Sequence, residues 1–460
     1  MTGAAMERTA AWSGIGPAPR RLAVGAVLAA IALVVAFSTA IDRQGVALTI
    51  SVSVLVLLVT SRFPWVALGA FVVLIPVEEA VVVDGFGSLS RYAAILLILT
   101  YGVTGLRSLR LGVVPLAGWG YVGWAIFSAA WALAIDATWT EIPILILLFA
   151  TTVVVASMIV ERPTLVRPLL WAYACSAGVT AAIGVVAYIA GGGPLGPEDR
   201  IAAIQDQNPA YYAAILLPAL VFTINELING RTVVLGAAIS LVCTVAIIAS
   251  GTRGAWVAIA VVFWLFLVPR LTPARRVAAI GVVVILGAIT LQLPGISTLI
   301  TERADLAVSS GGSGRTDIWS VGLRIFESAP VTGVGLSNFP TAFTPERVRD
   351  TSVVITDPAT LTSRAPHNIV IGTLGELGLI GLSLLALFLG PLVLRRGWGP
   401  DATAVQASIA GMLVLALFLD VLNLKVVWLL IAIGCALAYR KRHPPAEGRP
   451  LAPGQGLRHP

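Results

Sequence analysis

The residue best suited to move a proton in this chain is His367. Of the three histidines, His443 and His459 fall in a Pro-rich C-terminal tail, while His367 stands where a long polar segment gives way to an apolar run starting at Ile369. An imidazole that water can reach titrates near neutrality and serves as a general base; the plainer reading of the same residue is a helix cap. Three arginines lie in segments read as facing the same way. Arg253 closes the turn Ser250-Gly251-Thr252-Arg253, Arg315 opens an amphipathic stretch, and Arg200 sits in the polar segment 191–208. A guanidinium fork grips a phosphate oxygen with two donors and stays charged at any physiological pH, so two forks neutralise a diphosphate. At a helix start such as Arg315, free backbone N–H groups add to that attraction. The plainer readings are an interfacial anchor for Arg253 and solvated loop charges for Arg315 and Arg200. Asn368 follows the histidine. Glu376 lies about two turns along near the same helical face, where it either supports His367 or bonds a neighbouring helix. Asp420 and Lys425 read as a simple ion pair. No Asp-x-Asp pair or metal-ligand spacing appears, so neither metal nor cofactor is expected.

The elements that must position these residues are membrane helices. Of the 460 residues, 58% are hydrophobic and 12% charged, and mean hydropathy is +0.93; soluble domains carry about 25% charged residues. Apolar runs approaching a bilayer's width number about 12–14, which predicts an all-α, polytopic transmembrane bundle. They fall near 22–41, 46–60, 64–83, 92–106, 113–135, 142–160, 168–190, 209–224, 232–250, 254–268, 277–293, 368–394, 402–422 and 426–439. Two are short, 46–60 and 254–268, and read as tilted or re-entrant pieces. The first is longer than a signal-peptide core and reads as an uncleaved helix. The three cysteines lie singly within apolar runs and read as small core residues.

Sidedness follows from Lys and Arg. With residues 1–21 as a cytoplasmic tail, the inner turns hold Arg62, Arg107, Arg110, Arg162, Arg167, Arg231, Arg270, Arg275, Arg276, Arg395 and Arg396, whereas short outer turns hold Arg43, Arg91, Arg200, Arg253 and Lys425. That asymmetry is the positive-inside pattern, so the net charge of +7 points to membrane lipid and not to nucleic acid. The segment 294–367 then becomes one large extracytoplasmic loop. Within it Thr316 to Ser328 predicts a short amphipathic helix with Ile318, Val321 and Ile325 on one face, stopped by Pro330, with Gly333-Val334-Gly335 as a turn. Residues 22–249 form the N-terminal helices, 250–440 a second region, and 441–460 a disordered cytoplasmic tail.

Several of these residues resemble one family. His367-Asn368 followed by Gly378-Leu379-Ile380-Gly381 is similar to the His-Asn…Gly-x-x-Gly signature of bacterial O-antigen ligases. Ser250-Gly251-Thr252-Arg253-Gly254 resembles the turn that opens the conserved region of the O-antigen ligase and polymerase superfamily. Gly314-Arg315…Trp319, then Pro330…Gly333-Val334-Gly335…Phe339, resembles its large periplasmic loop. Leu382 departs from the Thr or Val that often follows the signature. The resemblance covers about residues 250–381 and makes 250–440 a ligase-type region. It implies a multi-pass protein of the bacterial cytoplasmic membrane whose outward-facing site moves a glycan from an undecaprenyl diphosphate donor to a hydroxyl of a glycan, glycolipid or protein acceptor. On that reading His367 is the catalytic base, Arg253, Arg315 and Arg200 hold the diphosphate, Asn368 and Glu376 support them, and the transfer is inverting and metal-independent. A glycosidase would instead need two carboxylates flanking the scissile bond.

Other readings remain at this level. The same family includes polymerases of lipid-linked repeats. A glycosyltransferase with an acidic base at Asp42, beside Arg43, would not need His367. A transporter of bicarbonate or glycolipid would show internal repeats and midplane charges, and an envelope scaffold would need no site.

Overall fold

The computed structural model describes residues 64–78, 82–83, 87–105, 108–190, 195–196, 200–202, 207–274, 276–277, 280–281, 315–344, 364–394 and 399–444. The runs 22–41 and 46–60, nearly all of 277–293, most of the loop 294–367, Asp42 and the tail 445–460 lie outside the described residues. The chain divides into two compact units. The smaller, residues 1–67 with 99–106, contributes only parts of two helices to the description. His367 and the helices that support it belong to the larger.

The protein is a polytopic all-α transmembrane bundle. Among the described residues there are thirteen α-helices: α1 (Pro64–Leu74), α2 (Leu89–Gly105), α3 (Leu116–Phe127), α4 (Ile135–Glu161), α5 (Val166–Ile189), α6 (Pro209–Ile228), α7 (Val233–Ala249), α8 (Arg253–Val262), α9 (Arg315–Ser328), α10 (Phe339–Ala342), α11 (Ile369–Leu394), α12 (Pro400–Leu415) and α13 (Lys425–Arg442). Two-residue ladders, β1 (Val82–Val83) with β2 (Gly87–Ser88) and β3 (Leu195–Gly196) with β4 (Arg200–Ile201), close two of the turns. Five stretches are long and apolar enough to cross a bilayer, among them Ile135–Glu161, Ile369–Leu394 and Arg253–Arg270. The last is a continuous helix that passes through a π-turn at Phe263–Leu267, so the run expected to be short is a full span. Three expected spans are shorter than read. In 64–83 the helix stops at Leu74, and Val82–Val83 belongs to a strand. In 113–135 the α-helix stops at Phe127 and ends in a 3-10 turn at Ser128–Ala130. In 402–422 it stops at Leu415, which leaves Asp420 in a connecting turn.

The helices α6 and α7, and α6 and α12, pair as antiparallel neighbours, α4 and α13 run parallel, and α8 lies against α12 and α3 against α11. Basic turns gather at one end. There the buried Glu226 carboxylate meets Arg167 at 2.6 Å and Arg231 at 3.8 Å, and Arg231 also reaches Asp401 at 3.0 Å. Arg270 donates to Thr403 and Arg440 to the Val160 carbonyl at the same end.

At the opposite end a loop enters a break in α11. Gly378 has φ +65°, ψ −165°, outside the helical region. The break strips partners from nearby backbone groups, and in lipid such groups must find partners within the protein. The turn after α9 supplies them. Val334 and Gly335 N–H donate to the carbonyls of Gly375 and Glu376, each at 2.9 Å, while Leu379 N–H donates to Pro330 O at 2.9 Å and Ile380 N–H to Val331 O at 3.4 Å. A Cβ on Gly333 would collide with the Glu376 backbone, and one on Gly378 with the Val331 carbonyl. The segment between α3 and α4 holds the turn from its other side. Trp131 Nε1 donates to Gly333 O, Leu133 N to Val334 O, and Thr138 Oγ1 to Leu336 O. The fully buried Asn338 donates to Thr138 Oγ1 and accepts from Ala134 N–H.

The α9 helix forms over Arg315–Ser328, with Ile318, Val321 and Ile325 buried against Val334, Phe339, Ala342, Phe343 and Ile371. The expected amphipathic face is therefore its packing face on α11. Gly378→Ala should destabilise the protein by about 2 kcal/mol, because a left-handed non-glycine residue and a steric clash combine. Gly390→Ala, in the same helix with nothing near its missing Cβ, should change stability by less than about 1 kcal/mol. Thermal unfolding of the purified variants in one detergent compares them.

Candidate active site

His367 is held by three local devices. Its own φ is +45°, a conformation uncommon outside glycine and one that clusters at functional sites. Asn368 follows as the N-cap of α11, its Oδ1 accepting from Val370 N at 2.9 Å and Ile371 N at 3.1 Å. Ile369 N–H then donates to Ala416 O at 2.7 Å, which ties the start of α11 to the turn after α12.

That turn, residues 416–424, is where distant parts of the sequence meet. Gly254, next to Arg253, lies so close to it that an added Cβ would sit 2.9 Å from Phe418 Cβ and 3.2 Å from Leu415. Arg253 itself is half-buried at the first position of α8. Its turn is fixed by Ser250 Oγ, 2.9 Å from Thr252 Oγ1, and by Thr252 Oγ1 donating to Pro209 O at the start of α6. Asp420, in the same turn, feels the charge of His367 and accepts the Leu422 N–H.

Register places the start of α9 at this end as well. Gly322 abuts Ile371 and Gly375 abuts Ile325, so α9 and α11 run parallel. Extending that register back puts Ile318 near the level of His367 and Arg315 about one turn beyond it. Arg200 begins β4, which packs against α5 and α7, at the end where α7 leads into Ser250. The side chains of Arg315 and Arg200 lie outside the described residues.

Beside His367 a cavity of about 120 Å³ opens, several times the room one water needs. Pro366 and Asn368 line it on either side of the histidine, and Ser337, another left-handed non-glycine residue with φ +61°, lines it from the inserted turn. Three carboxylates face it. Glu141 comes from α4 and accepts a hydrogen bond from the Asn423 side chain. Glu376 comes from α11 and accepts from Phe339 N at 3.2 Å. Asp420 is the third. Glu376 thus holds the inserted turn, and Asp420 is the carboxylate that senses the imidazole. The expected pair of Asp420 with Lys425 is not formed: Lys425 pairs with Glu78, and Ser88 Oγ donates to the same Glu78 carboxylate at 2.8 Å. Lys425 begins α13 and points to the β1–β2 hairpin, whereas Asp420 turns inward.

Glu141, Tyr121 and Asn423 line the site without belonging to the set expected from sequence. Glu141 stands just before the apolar run 142–160, among polar residues from Asp136 on, so its sequence position gives no sign of the site.

The bundle, the broken helix and the imidazole beside a polar cavity define a polytopic membrane protein with a built site at one end. Residues 237–386 match the family model described as O-antigen ligase. That segment holds Arg253, Arg315, His367 and the break at Gly378, so the likeness to O-antigen ligases covers about a third of the chain and includes the candidate site. No curated protein and no solved structure matches the chain.

Burial pushes the Asp420 carboxyl above the usual carboxylate range, opposed by the Leu422 N–H and the charge of His367. Its contribution to stability is therefore fully present below the ordinary carboxylate pKa and is lost as pH rises through the raised folded value. Asp420→Asn removes that titration. Melting curves across pH should show the variant about 2 °C above the parent at neutral pH, with the difference vanishing in acid.

Proposed function

We propose that the chain transfers a glycan from a polyprenyl diphosphate donor to an acceptor hydroxyl at the outer face of the cytoplasmic membrane. The coarser statement, a membrane protein of the ligase and polymerase type, rests on the family match. The finer one is supported above all by one arrangement. The Arg253 turn and the His367 cap, more than a hundred residues apart along the chain, both pack on the turn that carries Asp420.

A glycan on a lipid diphosphate already has a good leaving group. As the anomeric C–O bond breaks, negative charge grows on the diphosphate, and fixed guanidinium groups meet that need. Arg253 and Arg315 fill this role, with Arg200 at the same end. The acceptor hydroxyl attacks the anomeric carbon from the opposite face, a C–O bond forms with inversion, and its proton passes to His367. The polyprenyl diphosphate departs. Asp420 beside His367 stabilises the imidazolium that forms, as a buried carboxylate does for a catalytic histidine elsewhere. Asn368 and Glu376 act indirectly, one by starting α11 at a fixed angle and the other by holding the turn 330–338. The basic turns clustered at the other end of the bundle support the outward orientation.

His367→Ala should lower transfer by at least about a thousandfold in proteoliposomes while donor affinity stays within about twofold. Arg253→Ala and Arg315→Ala should each weaken donor binding by about tenfold or more. Transfer at the parental rate by purified His367→Ala would remove the base from this mechanism.

A further inference from the structure

The cavity beside His367 is chemically unlike the arginines proposed to hold the diphosphate. Its titratable lining is acidic: Glu141, Glu376 and Asp420, from three different elements. Each carboxylate also has a protein partner, namely Asn423 for Glu141, the Ser337 and Phe339 N–H groups for Glu376 and the Leu422 N–H for Asp420. Trp428 adds an aromatic surface.

Tyr121 supplies an independent observation. It is 4% exposed, lines the cavity, and its hydroxyl lies within electrostatic reach of all three carboxylates. Among the described residues it makes no hydrogen bond to protein. A phenol lining an open cavity is met there by water or by a polar guest. Carboxylates, a phenol, an amide and an aromatic wall together are a set that accepts the O–H groups of a sugar. The same set opposes a phosphate or a uronate, because like charges a few ångströms apart in a partly desolvated site repel strongly.

Resting on the catalytic reading above, we infer that this cavity seats the acceptor and restricts it to a sugar whose attacked ring carries no negative charge. The donor's diphosphate is kept on the arginine side, and the acceptor's hydroxyl is presented to His367 from the acidic side.

The test uses the full chain in lipid nanodiscs and three probes: methyl β-glucoside, methyl β-glucosaminide and the methyl glycoside of glucuronic acid. Saturation-transfer NMR should detect the first two and find the glucuronide at least about tenfold weaker. Tyr121→Phe should weaken methyl glucoside by about fivefold. The double variant Glu141→Gln/Asp420→Asn should narrow the discrimination against the glucuronide. His367→Ala should keep all three affinities, which separates the pocket from the chemistry. If His367→Ala transfers normally while the sugar preferences stand, the catalytic reading falls and the pocket survives. Equal binding of glucuronide and glucoside, no binding of any probe to the parent, or unchanged binding in Tyr121→Phe would overturn the pocket.

Discussion

The structure depends on the exchange of backbone hydrogen bonds between the broken helix α11 and the turn at 330–338. A helix crossing lipid cannot leave N–H and C=O groups unpaired, so a break is tolerated only where other protein fills it. Here the filling strand comes from the large loop. Its glycines permit backbone to approach backbone at Gly333 and Gly378, and the loop is thereby fixed to the bundle and not merely tethered at its ends. Glu376 adds a side-chain contact to Phe339, and the α3–α4 connection closes the other side through Trp131, Thr138 and the buried Asn338. These interactions are local in space and remote in sequence, which suits a loop that must hold functional groups still.

A second constraint acts through the turn 416–424. It binds the first residue of α11, touches the start of α8, and carries Asp420. Shifting any of these three moves the other two. The strained backbone at His367 is sustained because both neighbours are anchored, Asn368 by capping and Ile369 by Ala416. Strain of this kind persists only when the surroundings over-determine it.

Much of this was legible in the sequence, because membrane helices and amphipathic helices write their periods openly. The 3.6-residue spacing of Ile318, Val321 and Ile325 marks the buried face of α9, and the change from polar to apolar residues at Ile369 marks the start of α11. The large loop's anchoring was not legible. Gly333-Val334-Gly335 reads as a turn from local chemistry, and nothing nearby says that its N–H groups answer carbonyls of Gly375 and Glu376. The pairing of Lys425 is hidden for the same reason: Asp420 is its neighbour in sequence, but its partner Glu78 lies hundreds of residues earlier in the chain. The cavity has no signature in the sequence because Tyr121, Glu141, Glu376 and Asp420 belong to four segments and share no spacing.

The placement of opposite charges then bears on how one site can handle two substrates. A diphosphate and an acceptor hydroxyl need opposite surroundings, cations for the first and hydrogen-bond acceptors for the second. Mixing the two lining types would neutralise both, since Arg–carboxylate pairing would satisfy the groups before any substrate arrived. The fold keeps Glu376 committed to the inserted turn and Glu141 to Asn423, on the cavity side of the His367 cap, while Arg253 starts a helix on the other flank of the 416–424 turn. On the proposed reading the imidazole would stand between the two, accepting the acceptor's proton while the arginines hold the diphosphate. The inverting transfer proposed above would require that opposition, because the nucleophile approaches the anomeric carbon from the face opposite the departing diphosphate.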